Sequence, residues 1–186
     1  MANNGANNGA NDSANGGTNE ANVAANMMST KGETLGDIAA FAGRLGGAGR
    51  LIGIDAGTKT LGLALSDVTR TNASPLVVLR RKRFKEDAAE LLRLAAAHAI
   101  AGFVLGLPTN LDGTTGPRVQ ATRAFAKNLN ALTPLPILLW DERLSTAEAE
   151  RTLIAADASR KRRAEVIDKL AATIILQGAL DRMRAG

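Results

Sequence analysis

Residues 51–67 read LIGIDAGTKTLGLALSD: two apolar runs joined by a Gly-Thr-Lys-Thr connection. A short link carrying Gly57 between two such runs is a β-hairpin signal. The first run ends on Asp55, where a core strand would be expected to stay apolar. A carboxylate in that place is costly unless it accepts hydrogen bonds or faces a cation.

Working outward, Pro75 to Leu79 reads as a third strand. Ala88, Leu91, Leu92, Ala95 and Ala96 have helical spacing, which predicts an amphipathic helix from Phe84 to His98, followed by a short buried strand from Gly102 to Leu105. After the loop GLPTNLDGTTGP, Pro117 suits the first position of a helix reaching about Leu132, and Pro136 to Trp140 gives a fifth strand. Ser145 or Thr146 can cap a helix through Ile154, and a last helix is predicted from about Ala164 to Met183. Three strands in hairpin order and then alternating helix and strand predict an α/β fold: a mixed five-stranded sheet, antiparallel then parallel, with helices on both faces.

The chain divides into two regions. Residues 1–49 form an Asn/Gly/Ala-rich tail; its first 30 residues hold nine Asn and too little apolar surface to offset the entropy of ordering. LGDIAAFAGRL at 35–45 can form a short helix, ended by GGAG, and the folded domain is expected from 50 to 186. The tail carries two basic and four acidic residues and the remainder 21 and 14, so a net +7 sits on the predicted domain. That surplus suits a polyanionic partner. No secretory signal is evident, nor a run of the about 20 apolar residues that a membrane helix needs. Without cysteine the chain has no disulfide or thiolate metal site, as expected of a cytoplasmic protein, and any metal must be held by oxygen or nitrogen.

Two further acids resemble Asp55 in their setting. Glu142 follows the apolar stretch Ile137 to Trp140 through Asp141, and Asp168 shares a helix face with Ala171, Ala172 and Ile175. Singly, each reads as a turn or boundary charge. Together they suggest a carboxylate cage for one or two hard cations, Mg²⁺ or Mn²⁺, whose usual employment is phosphoryl chemistry. Lys59 in the turn, Arg118 in the first turn of a helix, and the run Arg160, Lys161, Arg162, Arg163 would then face substrate phosphates, with Arg143 beside Glu142. The run from Arg80 to Lys85 has nothing in the sequence tying it to the acids and reads as solvated. His98 and Trp140 read as structural.

GIDAGTKTLGLALSD, VLGLPTNLDGTTGPRVQ, DERLSTAEAER and ASRKRRAEVIDKLAATIILQ, in that order, resemble the YqgF/RuvX family from about Leu51 to Asp181. The resemblance implies a ribonuclease H-like fold related to the RuvC resolvases, and a metal-dependent nuclease with Asp55, Glu142 and Asp168 as its catalytic and metal-binding acids. Asp112 and Asp141 are the alternatives for the second acid. Implied substrates are ribosomal precursor RNA, in maturing the 5′ end of 16S rRNA, or branched DNA; monomer and dimer are both open. Two rivals remain: a sugar kinase or ATPase, for which the chain is too short to hold the second domain, and a non-catalytic nucleic-acid adaptor.

Overall fold

The computed structural model describes residues 32–109, 116–144 and 160–186, with 144 and 160–167 described through their main chain alone. Strand β1 (Thr34–Leu35) and helix α1 (Ile38–Arg44) lead into β2 (Arg50–Ala56), β3 (Thr60–Ser66) and β4 (Ala73–Arg80). Helix α2 (Phe84–Ala97), β5 (Ile100–Leu107), α3 (Pro117–Asn130), β6 (Ile137–Asp141), a 3₁₀ turn (Glu142–Leu144) and α4 (Arg160–Ala185) complete the fold. The sheet order is β1-β6-β5-β2-β3-β4. β2, β3 and β4 pair antiparallel, while β2, β5, β6 and β1 pair parallel. This is the expected mixed sheet, antiparallel and then parallel, with one strand more among the described residues, six in place of five.

The extra strand comes from the region expected to precede the domain. Thr34 and Leu35 pair with Ile137 and Leu138. Asp37 caps α1 by accepting from the Ala40 amide at 2.8 Å. Phe41 is fully buried. Residues 32–49 are therefore built into the sheet and core, and the packed structure begins ahead of Arg50. The residues before them, and the helix expected through Ile154, lie outside the described residues.

Alternation along β2 divides two cores. Ile52 and Ile54 face α2 and α3, in a cluster with Leu61, Leu63, Leu91, Phe103, Phe125 and Leu129. Leu51 faces α1 and α4, in a cluster with Phe41, Val104, Leu138, Trp140, Ile175 and Leu176. Helices thus cover both faces, as the sequence pattern predicts. Trp140 is buried against α4, next to Gly178, and has the structural role expected of it. Pro75 lacks a ladder donor, and it sits in β4, the edge strand, beside a register shift between Leu63 and Ala64.

Helix α4 meets the sheet at glycines. A Cβ on Gly53 would stand 2.6 Å from the Leu176 Cβ, and one on Gly62 would stand 2.1 Å from the Asp168 carbonyl oxygen. Because the second obstacle is main chain, Gly62→Ala should cost about 1–3 kcal/mol or more in denaturant unfolding. Gly43 of α1 has nothing within 4 Å of such an atom, so Gly43→Ala should be neutral or stabilising by up to about 1 kcal/mol. Phe41→Ala should cost about 3–5 kcal/mol, the penalty of emptying a fully buried aromatic site, which a dispensable leader would not show.

Candidate active site

Asp55 lies on the α4 face of the sheet. Gly53, two residues earlier, touches α4, and Gly62, the direct antiparallel partner of Asp55, touches the Asp168 main chain. The strand stays apolar up to the point where the hairpin turns, and the carboxylate is half-buried at its end. Gly57 closes the turn, its amide donating to the Asp55 carbonyl at 3.2 Å, and leaves Thr58 and Lys59 exposed at the tip.

Asp168 arrives from above. Its main chain presses on Gly62, and its Oδ2 accepts from the Thr60 hydroxyl at 2.7 Å. The acid is therefore oriented by the strand beneath it as well as by its own helix. Ala171, Ala172 and Ile175, which share its face, are fully buried. The inward-facing row read from helical spacing is the row that packs on the sheet.

Glu142 approaches from the other side. A Cβ on Gly106 would meet Glu142 Oε1 at 2.8 Å and Ile175 Cδ1 at 2.5 Å. In the parallel pairing of β2 and β5 the last matched residues are Ile54 and Leu105, so Asp55 and Gly106 are the next neighbours along these strands. Asp55 thus stands on the middle strand with Gly62 on one side and Gly106 on the other, each about 5 Å away in a sheet. Asp168 lies over the first glycine and Glu142 over the second. Three acids distant in sequence are thus carried to the same end of one sheet face.

The neighbouring Asp141 does something else. It alternates with Trp140 and so leaves the α4 face, where its carboxylate accepts from the Thr109 hydroxyl at 2.6 Å and from Arg143 Nη2 at 2.6 Å. The Arg143 amide also donates to it, at 3.0 Å, which fixes the 3₁₀ turn carrying Glu142. The Arg143 hydrogen bonds, aided by Thr109 and against partial burial, lower the Asp141 pKa to about 2. Asp141 is engaged by Arg143 and Thr109 away from the α4 face, while Glu142 reaches over Gly106 on that face. Asp112, the other alternative, lies outside the described residues.

The cations fall into three groups. Lys59 is exposed on the turn next to Asp55, and Arg118 is exposed in the first turn of α3. Arg143 is committed to Asp141. Arg160 to Arg163 form the start of α4, earlier than the predicted start at Ala164; their side chains are outside the description. Among the described residues no three acids or histidines already stand in a metal-binding group. The donor chemistry of Asp55, Glu142 and Asp168 nonetheless suits a hard cation, being carboxylate oxygen alone.

Thr60 and Thr109 are absent from the sequence reading, which takes the run from Arg80 to Lys85 as solvated and without a tie to the acids. Thr60 had a signal: Thr60, Gly62 and Ala64 make a small-residue face opposite Leu61, Leu63 and Leu65, marking the side where something packs closely. For Arg80 the signal is absent from local sequence, since its nearness to Thr60 depends on strand register.

A family model described as "RuvX: Holliday junction resolvase" matches residues 49–182. A Paracoccus denitrificans protein named "Putative pre-16S rRNA nuclease" is 59% identical over 148 residues, covering 80% of this chain and 94% of that protein. A Beijerinckia indica protein of the same name is 61% identical over 139 residues, covering 75% of this chain and 84% of that protein. A solved Thermus thermophilus RuvC structure aligns with TM-score 0.47 and 13% identity over 73% of this chain and 96% of that one. On the family match and on identity across almost the whole of these relatives, the chain belongs to the RuvX family.

Proposed function

We propose that this protein hydrolyses phosphodiester bonds with a divalent cation, Mg²⁺ or Mn²⁺, held by Asp55, Glu142 and Asp168. Its substrate on this reading is the cytoplasmic precursor of 16S rRNA, cut during maturation of the 5′ end. The observation that carries the reading is the convergence of these acids over Gly62 and Gly106 at the end of β2. Support for the substrate comes from relatives named for pre-16S rRNA and about 60% identical to the chain.

Each residue has a distinct task. Asp55 presents its carboxylate from the rigid middle strand. Thr60 occupies one oxygen of Asp168 and so limits its rotation, leaving the other oxygen for the cation. Arg143 and Asp141 hold the turn from which Glu142 reaches inward. Lys59 offsets phosphate charge at the turn. When bound, the cation supplies Lewis acidity that lowers the pKa of an attacking water and offsets charge on the departing oxygen.

A second reading, cleavage of branched DNA, is favoured by the description of the matching family as Holliday junction resolvase. Depletion in cells separates the two: extended 16S 5′ ends are expected on the first, and normal ends with a recombination defect on the second.

Purified protein should cut a precursor fragment carrying the 16S 5′ end only with Mg²⁺ or Mn²⁺ present, and chelation should abolish cleavage. Asp55→Asn should reduce the rate by about 100-fold or more, because a cation site supplies several kcal/mol of charge stabilisation and about 1.4 kcal/mol is worth tenfold. Equal rates for wild type and Asp55→Asn, on RNA and on junction DNA alike, would refute the nuclease assignment.

A further inference from the structure

The basic run that begins at Arg80 is tied to the acids through the hairpin. Arg80 is the register partner of Thr60, whose hydroxyl holds Asp168. The Arg81 amide donates to the Lys59 carbonyl and its Nη1 to the Gly57 carbonyl, both at 2.9 Å. The end of β4 and the turn following Asp55 are therefore one hydrogen-bonded unit.

Arg81 is the inward member of the run. It is half-buried, its guanidinium lies 5.7 Å from the centroid of the Phe125 ring, and its Nε lies 3.7 Å from Asp87 Oδ2. Asp87, itself buried, also accepts from the Lys82 amide at 2.9 Å. With Arg81 anchored inward, Arg80, Lys82, Arg83 and Lys85 are left exposed. Lys82 has an acid at 3.6 Å, Glu86. Arg80, Arg83 and Lys85 have no acidic partner among the described residues. Glu86 and Asp87 occupy the first turn of α2 and oppose its dipole, so the side chains and not the helix end make this surface positive.

We propose that Arg80, Lys82, Arg83 and Lys85, continued by Lys59, form a phosphate-binding track for the RNA strand flanking the cleaved bond, leading from the acids across the end of β4. The proposal rests on the nuclease reading above and adds where the substrate lies. From Arg80 to Arg83 the chain can span about 10 Å, so the track extends contact well beyond the reacting phosphate. Its contacts are to backbone charge, so it contributes affinity and register without base preference.

The test uses full-length protein and the same precursor fragment. Binding is measured between 50 and 200 mM salt in the Asp55→Asn background, and steady-state cleavage in the wild-type background. Arg80→Gln, Arg83→Gln and Lys85→Gln together should make the slope of log K against log salt shallower by about 2, at about 0.7 for each lost single-strand phosphate contact. Affinity near 100 mM salt should fall at least tenfold, with KM raised and kcat retained. The control, Lys127→Gln with Arg182→Gln and Arg184→Gln, removes the same charge elsewhere and should leave slope and KM near wild type. A track variant indistinguishable from this control overturns the proposal while RNA cleavage by wild type stands. Failure of wild type itself to bind or cut the RNA overturns the precursor-RNA reading and the track with it.

Discussion

The contact of α4 with the main chain of the sheet is the constraint on which the rest depends. A helix resting on ordinary side chains is held off the main chain of a sheet by those side chains. Here Gly53, Gly62 and Gly106 remove the intervening side chains, and atoms of Asp168, Ala172, Ile175 and Leu176 occupy the space. Ala171, Ala172, Ile175, Leu176, Ala179 and Leu180 are fully buried, so the helix is held along much of its length. Close approach puts Asp168 within hydrogen-bonding reach of a strand residue, Thr60. The same approach brings Ile175 and Glu142 together over Gly106. Packing and site geometry are in this sense one feature.

Around the acids, charge is arranged by pairing some groups and exposing others. Arg143 is matched with Asp141, and Arg81 is close to Asp87 while donating to the turn. These pairs lie beside the acid cluster and stiffen the loops that deliver Glu142 and Lys59. Partly exposed pairs of this kind are weak evidence for net stability, and their better-supported use is to fix one arrangement among several. The arrangement fixed here keeps Asp141 on one sheet face and Glu142 toward the other.

Much of this was legible in the chain. The five longer strands and the two middle helices announce themselves through period-two and period-3.6 apolar patterns bounded by turn residues. Asp55, Glu142 and Asp168 stood out as charges where such patterns call for apolar residues. β1 was not legible, because two residues cannot display a period and Thr34–Leu35 becomes a strand only by pairing with β6. The glycines at 62 and 106 carry no side chain to mark a face, and only the helix above them explains their use. Choosing Glu142 over Asp141 needed the side-chain parity of β6, which was available in principle from the burial of Leu138 and Trp140 together. The link from Arg80 to Thr60 is a matter of register across strands and could not be read locally.

The two edges of the sheet bear on how the chain behaves in company. An exposed edge strand offers a template for pairing with another chain. At one margin the template is only two residues long, since β1 ends at Leu35. At the other, β4 is eight residues long but contains Pro75, lies beside a register shift, and ends in Arg80 with Arg81, Lys82 and Arg83 following. Proline, irregularity and repelling charge each obstruct edge-to-edge addition of strands. The cations proposed to grip RNA thus have a second consequence: they guard the sheet against continuing into the sheet of a neighbouring molecule.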